Sequence, residues 1–237
     1  MSKFARITAV FLKEIEDIRR NPNILVLYAL PVLLTLLWNN IMPGMPPGMG
    51  LSFGLLFLVV MVGMYVPSMM IAEEKEKKTI EVLLLSPATP AEVIIGKGFL
   101  TLLSIILVAI FLMLITGFQL QGLFTILLAT VLTSIFAIFV GMIVGLLAKN
   151  QMSTGVVGMP VYLLLLIIPQ VAEMAPGAVQ ILAGFLPTYH YLLILDSTLT
   201  SAAGPARSLY NLIFIAFSSF IVFLLLLYVY KIKGLKN

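Results

Sequence analysis

Six candidate spans of 18 or more largely apolar residues, none holding an Asp, Glu, Lys or Arg, stand out: 24–41, 51–72, 99–118, 123–148, 155–172 and 209–230. No other feature constrains the chain as tightly. A helix crosses the roughly 30 Å hydrocarbon core of a bilayer with about 20 apolar residues. Lipid offers no partners to a backbone, so a spanning segment must satisfy its own polar groups, as a helix does. The runs therefore predict an all-α membrane protein with six transmembrane helices. Composition agrees. The 237 residues include 14 basic and 10 acidic ones, and 61% are hydrophobic. Mean hydropathy is +1.15. A soluble domain carries about 25% charged residues, so a soluble enzyme of this composition could not cover its surface. Disorder needs the opposite balance of charge and apolarity. The absence of cysteine excludes disulfides, thiolate metal sites and cysteine nucleophiles. Pro160 and Pro169 interrupt the fifth run, which a spanning helix tolerates when neighbours satisfy the freed backbone groups.

The bases give orientation. Lys3, Arg6, Lys13, Arg19 and Arg20 precede the first run, and Lys75, Lys77, Lys78 and Lys97 lie between the second and third. Lys149 follows the fourth, and Lys231, Lys233 and Lys236 follow the sixth. Threading six spans puts all of these on one side and only Arg207 on the other. The excess of Lys and Arg on cytoplasmic loops then places both termini in the cytoplasm of a multi-pass plasma-membrane protein. The net charge of +4 is thereby a matter of topology, and no nucleic-acid partner is expected. The first run is expected to be a span, not a cleaved leader, because acids and bases precede it and a Pro/Gly-rich turn, residues 43–48, follows.

Three segments outside the runs carry structure of their own within a single domain, residues 1–237. In residues 2–20, Phe4, Ile7, Phe11, Ile15 and Ile18 form an apolar stripe at helical spacing, and Asn21-Pro22 ends it. This predicts an amphipathic interfacial helix; a plain charged anchor for the first span is the alternative, and the regular stripe favours the helix. Residues 173–207 hold two short apolar stretches, 179–186 and 191–195, punctuated by Pro176, Pro187 and Pro205. They predict short external re-entrant helices before the sixth span. The lone His190 in this segment has no second His or Cys with which to form a metal site.

Residues 73–97 are the third segment. Glu73, Glu74, Lys75, Glu76, Lys77 and Lys78 are six consecutive charges, with Glu73–Lys77 and Glu74–Lys78 at helical i,i+4 spacing. Apolar residues 82–85 follow, then Ser86-Pro87 as a stop and Thr89-Pro90 as a new helix start. A solvated loop is the ordinary account of such a charge run. The apolar patch outside any span argues instead for a cytoplasmic elbow that docks against something.

What is missing narrows function further. Within the run limits there is no ionisable residue of the kind ion-coupled transporters use as relays. The polar residues in the runs are mild, among them Thr35, Ser104, Thr130, Ser134, Asn211 and Ser219, and a lining of this kind suits an amphipathic or lipid-like substrate. No oriented nucleophile–base set and no carboxylate cluster for a metal is present in the runs. Residues 96–98, Gly-Lys-Gly, lack the rest of a phosphate loop. No cofactor or metal is expected, and energy for uphill transport would have to come from another subunit. Gly141 and Gly145 in the fourth run have the small-xxx-small spacing of packed membrane helices.

The stretch 74–83, followed by Ser86-Pro87 and by Ile94-Ile95-Gly96-Lys97, resembles the cytoplasmic signature of type-2 ATP-binding-cassette (ABC) exporter permeases. Leu186-Pro187-Thr188 resembles that family's external turn. The likeness departs at Lys78, where the family commonly has Gly. The resemblance implies a non-enzymatic permease subunit of an ATP-driven exporter. It implies two partners, a separate ABC ATP-binding subunit and a second permease subunit, identical or homologous. By resemblance, the ATPase-contact residues are Glu74, Glu76, Lys77, Lys78, Thr79, Glu81, Ser86 and Pro87. The alternative function is a membrane-embedded scaffold or assembly factor with no transport path.

Overall fold

A computed structural model describes residues 21–41, 48–76, 90–118, 122–172, 174, 177–200 and 205–233. The interfacial helix expected at 2–20, the elbow residues Lys77, Lys78, Thr79, Glu81, Ser86 and Pro87, and the side chain of Arg207 lie outside the described residues. The described residues form helices α1 (Pro22–Ile41), α2 (Met49–Glu76), α3 (Pro90–Ile115), α4 (Leu123–Leu147), α5 (Ser153–Ala172), α6 (Ala178–Ala183), α7 (Pro187–Leu199) and α8 (Pro205–Lys233). No strand occurs among them. Five of these helices, α2, α3, α4, α5 and α8, are long and apolar enough to cross a membrane. The apolar part of α1, Ile24–Asn40, is shorter.

α2 is the central helix. It packs against α1, α3, α4, α5 and α7. In its most apolar window 78% of residues are buried, against 17% in that of α8. Both helices are apolar all round, so the difference comes from neighbours and not from residue type. The outward faces of α3 and α8 present Phe99, Leu107, Phe111, Phe217 and Leu224, as suits helices whose solvent is lipid.

α2 and α4 approach most closely at two glycines. A Cβ on Gly141 would collide with the Met64 backbone, and one on Gly145 would lie 2.6 Å from the Ser68 carbonyl oxygen. Gly141 faces Met64 and Gly145 faces Ser68, so the two helices run parallel here. In lipid, where apolar burial between helices gains little, such backbone proximity is what packing rests on.

Most of the mild polar hydroxyls are satisfied locally, whereas Ser134 Oγ is buried without a hydrogen-bond partner among the described residues. Thr35, Thr130, Thr133, Ser218 and Ser219 each donate to the carbonyl four residues earlier, at 2.7–2.8 Å. This back-bonding lets a hydroxyl sit in an apolar helix at little cost. These hydroxyls are therefore occupied within their own helices and do not by themselves line a path.

Two boundaries differ from expectation. The third helix starts at Pro90 and ends at Ile115, whereas its charge-free run covers 99–118. Proline is accommodated in a helix's first turn, and Lys97 is neutralised inside the helix rather than held outside it. After Ile115 the chain leaves the helix, and the Phe118 N–H closes its end on the Met113 carbonyl at 3.0 Å. The expected break at Pro187 is present: α6 ends at Ala183 and Pro187 opens α7.

The short helices α6 and α7 are tied to the bundle. His190 Nδ1 lies 2.9 Å from Asn211 Oδ1 of α8, and Nε2 lies 3.0 Å from the Gly184 carbonyl. Its ring stacks on Phe214 at 4.0 Å, so His190 serves as a structural link. The adjacent Tyr191 is buried and shares a 2.8 Å hydrogen bond with Thr130 of α4. Burial raises the pKa of this phenol above its ordinary value, against the lowering effect of the Thr130 bond.

Candidate functional site

The last turn of α2 carries Glu74, Lys75 and Glu76 in succession. Successive helical residues point about 100° apart, so three neighbours must face three directions. Each direction meets a different part of the bundle.

Glu74 turns inward. Its Oε1 lies 3.0 Å from Lys97 Nζ of α3, with side-chain exposures of 9% and 1%. A charge so withdrawn from water is costly unless paired and hydrogen-bonded. Lys97 stands within the apolar helix Ile95–Ile115. Ionisable groups at such positions are expensive, and they mark function more often than chance.

Lys75 turns toward α4. Its Nζ donates to the Leu146 and Ala148 carbonyls at 2.9 and 2.6 Å. The last carbonyls of a helix have no partner within it and gather the negative end of the helix dipole. Lys75 thus caps α4 from another helix. Glu76 is exposed, and its Oε2 accepts the Gln151 backbone N–H at 3.2 Å. The α4–α5 turn is itself braced. Ser153 Oγ accepts the Lys149 and Asn150 N–H groups, and Asn150 Oδ1 accepts the Ser153 N–H at 2.9 Å.

These contacts join α3, the end of α4 and the α4–α5 turn to one turn of α2. Of the residues assigned by resemblance, Glu74 and Glu76 fall in this cluster, while Lys77, Lys78, Thr79, Glu81, Ser86 and Pro87 lie outside the described residues. Sequence reasoning missed Lys75, Lys97 and Gln151. The signal for Lys97 was its position as the single base between the charge run and the third apolar stretch. Gly141 and Gly145 belong to the α2–α4 seam that leads up to the cluster. Among the described residues no group of three or more His, Cys, Asp or Glu is placed to hold a metal ion.

A family model described as ABC-2 family transporter protein matches residues 24–228, a span that includes the whole cluster. No curated protein matches the chain.

Proposed function

The chain belongs to the ABC-2 transporter family and is a multi-pass membrane permease component, and from that premise we propose that it is the permease subunit of an ATP-driven exporter, coupled to a separate ATP-binding subunit through residues 73–97. α1 joins the five longer helices to give six spans, with the re-entrant α6 and α7 at the external end. Both termini face the cytoplasm across the plasma membrane, in keeping with the one-sided placement of the bases. A second permease subunit, a copy or a homologue, completes the substrate path.

The observation that carries this reading is the three-way attachment at the end of α2. Residues 77–89 follow directly on Glu76. Force applied there by a closing ATPase would reach α3 through Glu74–Lys97, α4 through Lys75, and the α4–α5 turn through Glu76. Domain closure is a usual way to convert a ligand event into displacement of packed elements. Glu76, Lys77, Lys78, Thr79, Glu81, Ser86 and Pro87 would make the contact. Glu74, buried on Lys97, would hold the elbow to the bundle.

The test is affinity purification of the tagged chain from native membranes in mild detergent. The proposal expects an ATP-binding-cassette polypeptide in the eluate and ATP hydrolysis that tracks it. A chain that purifies without such a polypeptide, across several detergents, would reverse the assignment toward a non-transporting scaffold.

A further inference from the structure

The opposite end of α2 holds a second feature, about 30 Å from Glu74 by the rise of the helix. A cavity of about 340 Å³ opens between the start of α2, the end of α5 and the second half of α7. Phe53, Leu192 and Leu199 contribute apolar wall, and Ser52, Gln170 and Asp196 contribute polar groups. Asp196 is exposed. Among the described residues its carboxylate makes no ion pair, and its backbone carbonyl accepts the Thr200 N–H and hydroxyl.

We propose that this cavity binds a small cationic amphiphile, with an ammonium group at Asp196 and an apolar body against Phe53 and Leu199. The volume sits at the lower end of the roughly 300–1,000 Å³ typical of ligand pockets, which limits the body to a short alkyl or single aromatic unit. An ionised carboxylate only accepts hydrogen bonds. It therefore repels an anion, gains nothing from an alkane, and is complementary to an ammonium. One carboxylate is too few for a metal ion, and a concavity of about 340 Å³ is too small to seat a protein surface. The assignment concerns binding and does not rest on the permease reading.

The chain carries its own reporter. Trp38 is the one tryptophan, and its ring stacks on Phe53 at 4.8 Å with an interplanar angle of 21°. Occupancy beside Phe53 will change the surroundings of Trp38 and so its emission.

The experiment titrates the purified protein, in phosphatidylcholine vesicles, with octylammonium and with octanol while following Trp38 emission. The proposal expects a saturable response to octylammonium. It expects octanol to bind about fivefold more weakly or worse, as loss of a partly solvated ion pair implies. Asp196→Asn should weaken octylammonium to the level of octanol, and Asp196→Lys should abolish its binding, with unliganded emission unchanged in both. Equal affinity for octanol and octylammonium would overturn the proposal in favour of an apolar site filled by lipid tails, and a response that never saturates would mean bilayer partition only. Adding phosphatidylethanolamine separates a free amine from a lipid headgroup. Unchanged affinity supports the free amine, and competition would assign the site to lipid. Binding in a preparation that has no ATPase partner would leave this site standing while counting against the permease reading.

Discussion

Glu74 of α2 and Lys97 of α3 meet at 3.0 Å with almost no solvent on either side chain. The pair welds two helices at the end of the bundle where the chain's charge is concentrated. A buried pair is poor evidence of net stability, because desolvation offsets the attraction, but removing one partner costs about 3–5 kcal/mol. Glu74→Gln and Lys97→Met should each lower thermal stability strongly in detergent. The double variant Glu74→Leu, Lys97→Met should recover much of the loss. Additive losses in the double variant would show that the two side chains do not depend on each other.

Lys75 caps a helix that is not its own. Lys75→Ala should free the Leu146 and Ala148 carbonyls at a cost of about 1.5–3 kcal/mol, the range for hydrogen bonds to charged groups. Because the protein has no cysteine, Lys149→Cys can report locally. Its thiol-labelling rate should rise when Lys75→Ala is added, and an unchanged rate would mean that the α4 end is held by other contacts.

The glycine seam makes a paired prediction. Gly145→Ala places a methyl group 2.6 Å from the Ser68 carbonyl and should destabilise by about 1–3 kcal/mol, the usual cost of overpacking. Gly155 in α5 has open space around it. Gly155→Ala should be neutral, or stabilising by up to about 1 kcal/mol from helix propensity. Melting temperatures of the two variants, measured side by side, decide the matter.

Orientation can be read by labelling single-cysteine variants in intact cells with an impermeant thiol reagent. Arg207→Cys should label from outside, and Lys77→Cys only after the membrane is opened. Labelling of both from one side would break the six-span topology.

Much of the architecture was legible because lipid leaves an apolar run few choices. The stretches 51–72, 123–148, 155–172 and 209–230 appear as α2, α4, α5 and α8. Their arrangement was not legible. α2 and α8 are alike in composition, and only neighbours distinguish a central helix from a peripheral one. Gly141 and Gly145 were visible as a spacing, but their partners Met64 and Ser68 were not. The i,i+4 rule sees pairs within one helix, so it offered Lys78 to Glu74 and could not offer Lys97 on the next helix. Counting charge-free residues also began the third span too late, at 99 instead of Pro90, because a lysine paired inside the bundle is no longer a boundary. The cavity at the start of α2 draws residues from three separated segments, which no local pattern joins.

The central claim is that residues 73–97 dock an ATP-binding subunit and pass its motion to the helices. Glu81→Arg tests it most directly, as Glu81 lies in the elbow sequence five residues beyond Glu76. Wild type and variant should be purified in parallel from membranes holding equal amounts of each, and the co-purified ATPase measured. The account predicts that the variant inserts normally and loses most of the ATPase, or retains it with hydrolysis no longer linked to export. Equal ATPase recovery together with unchanged export would contradict it.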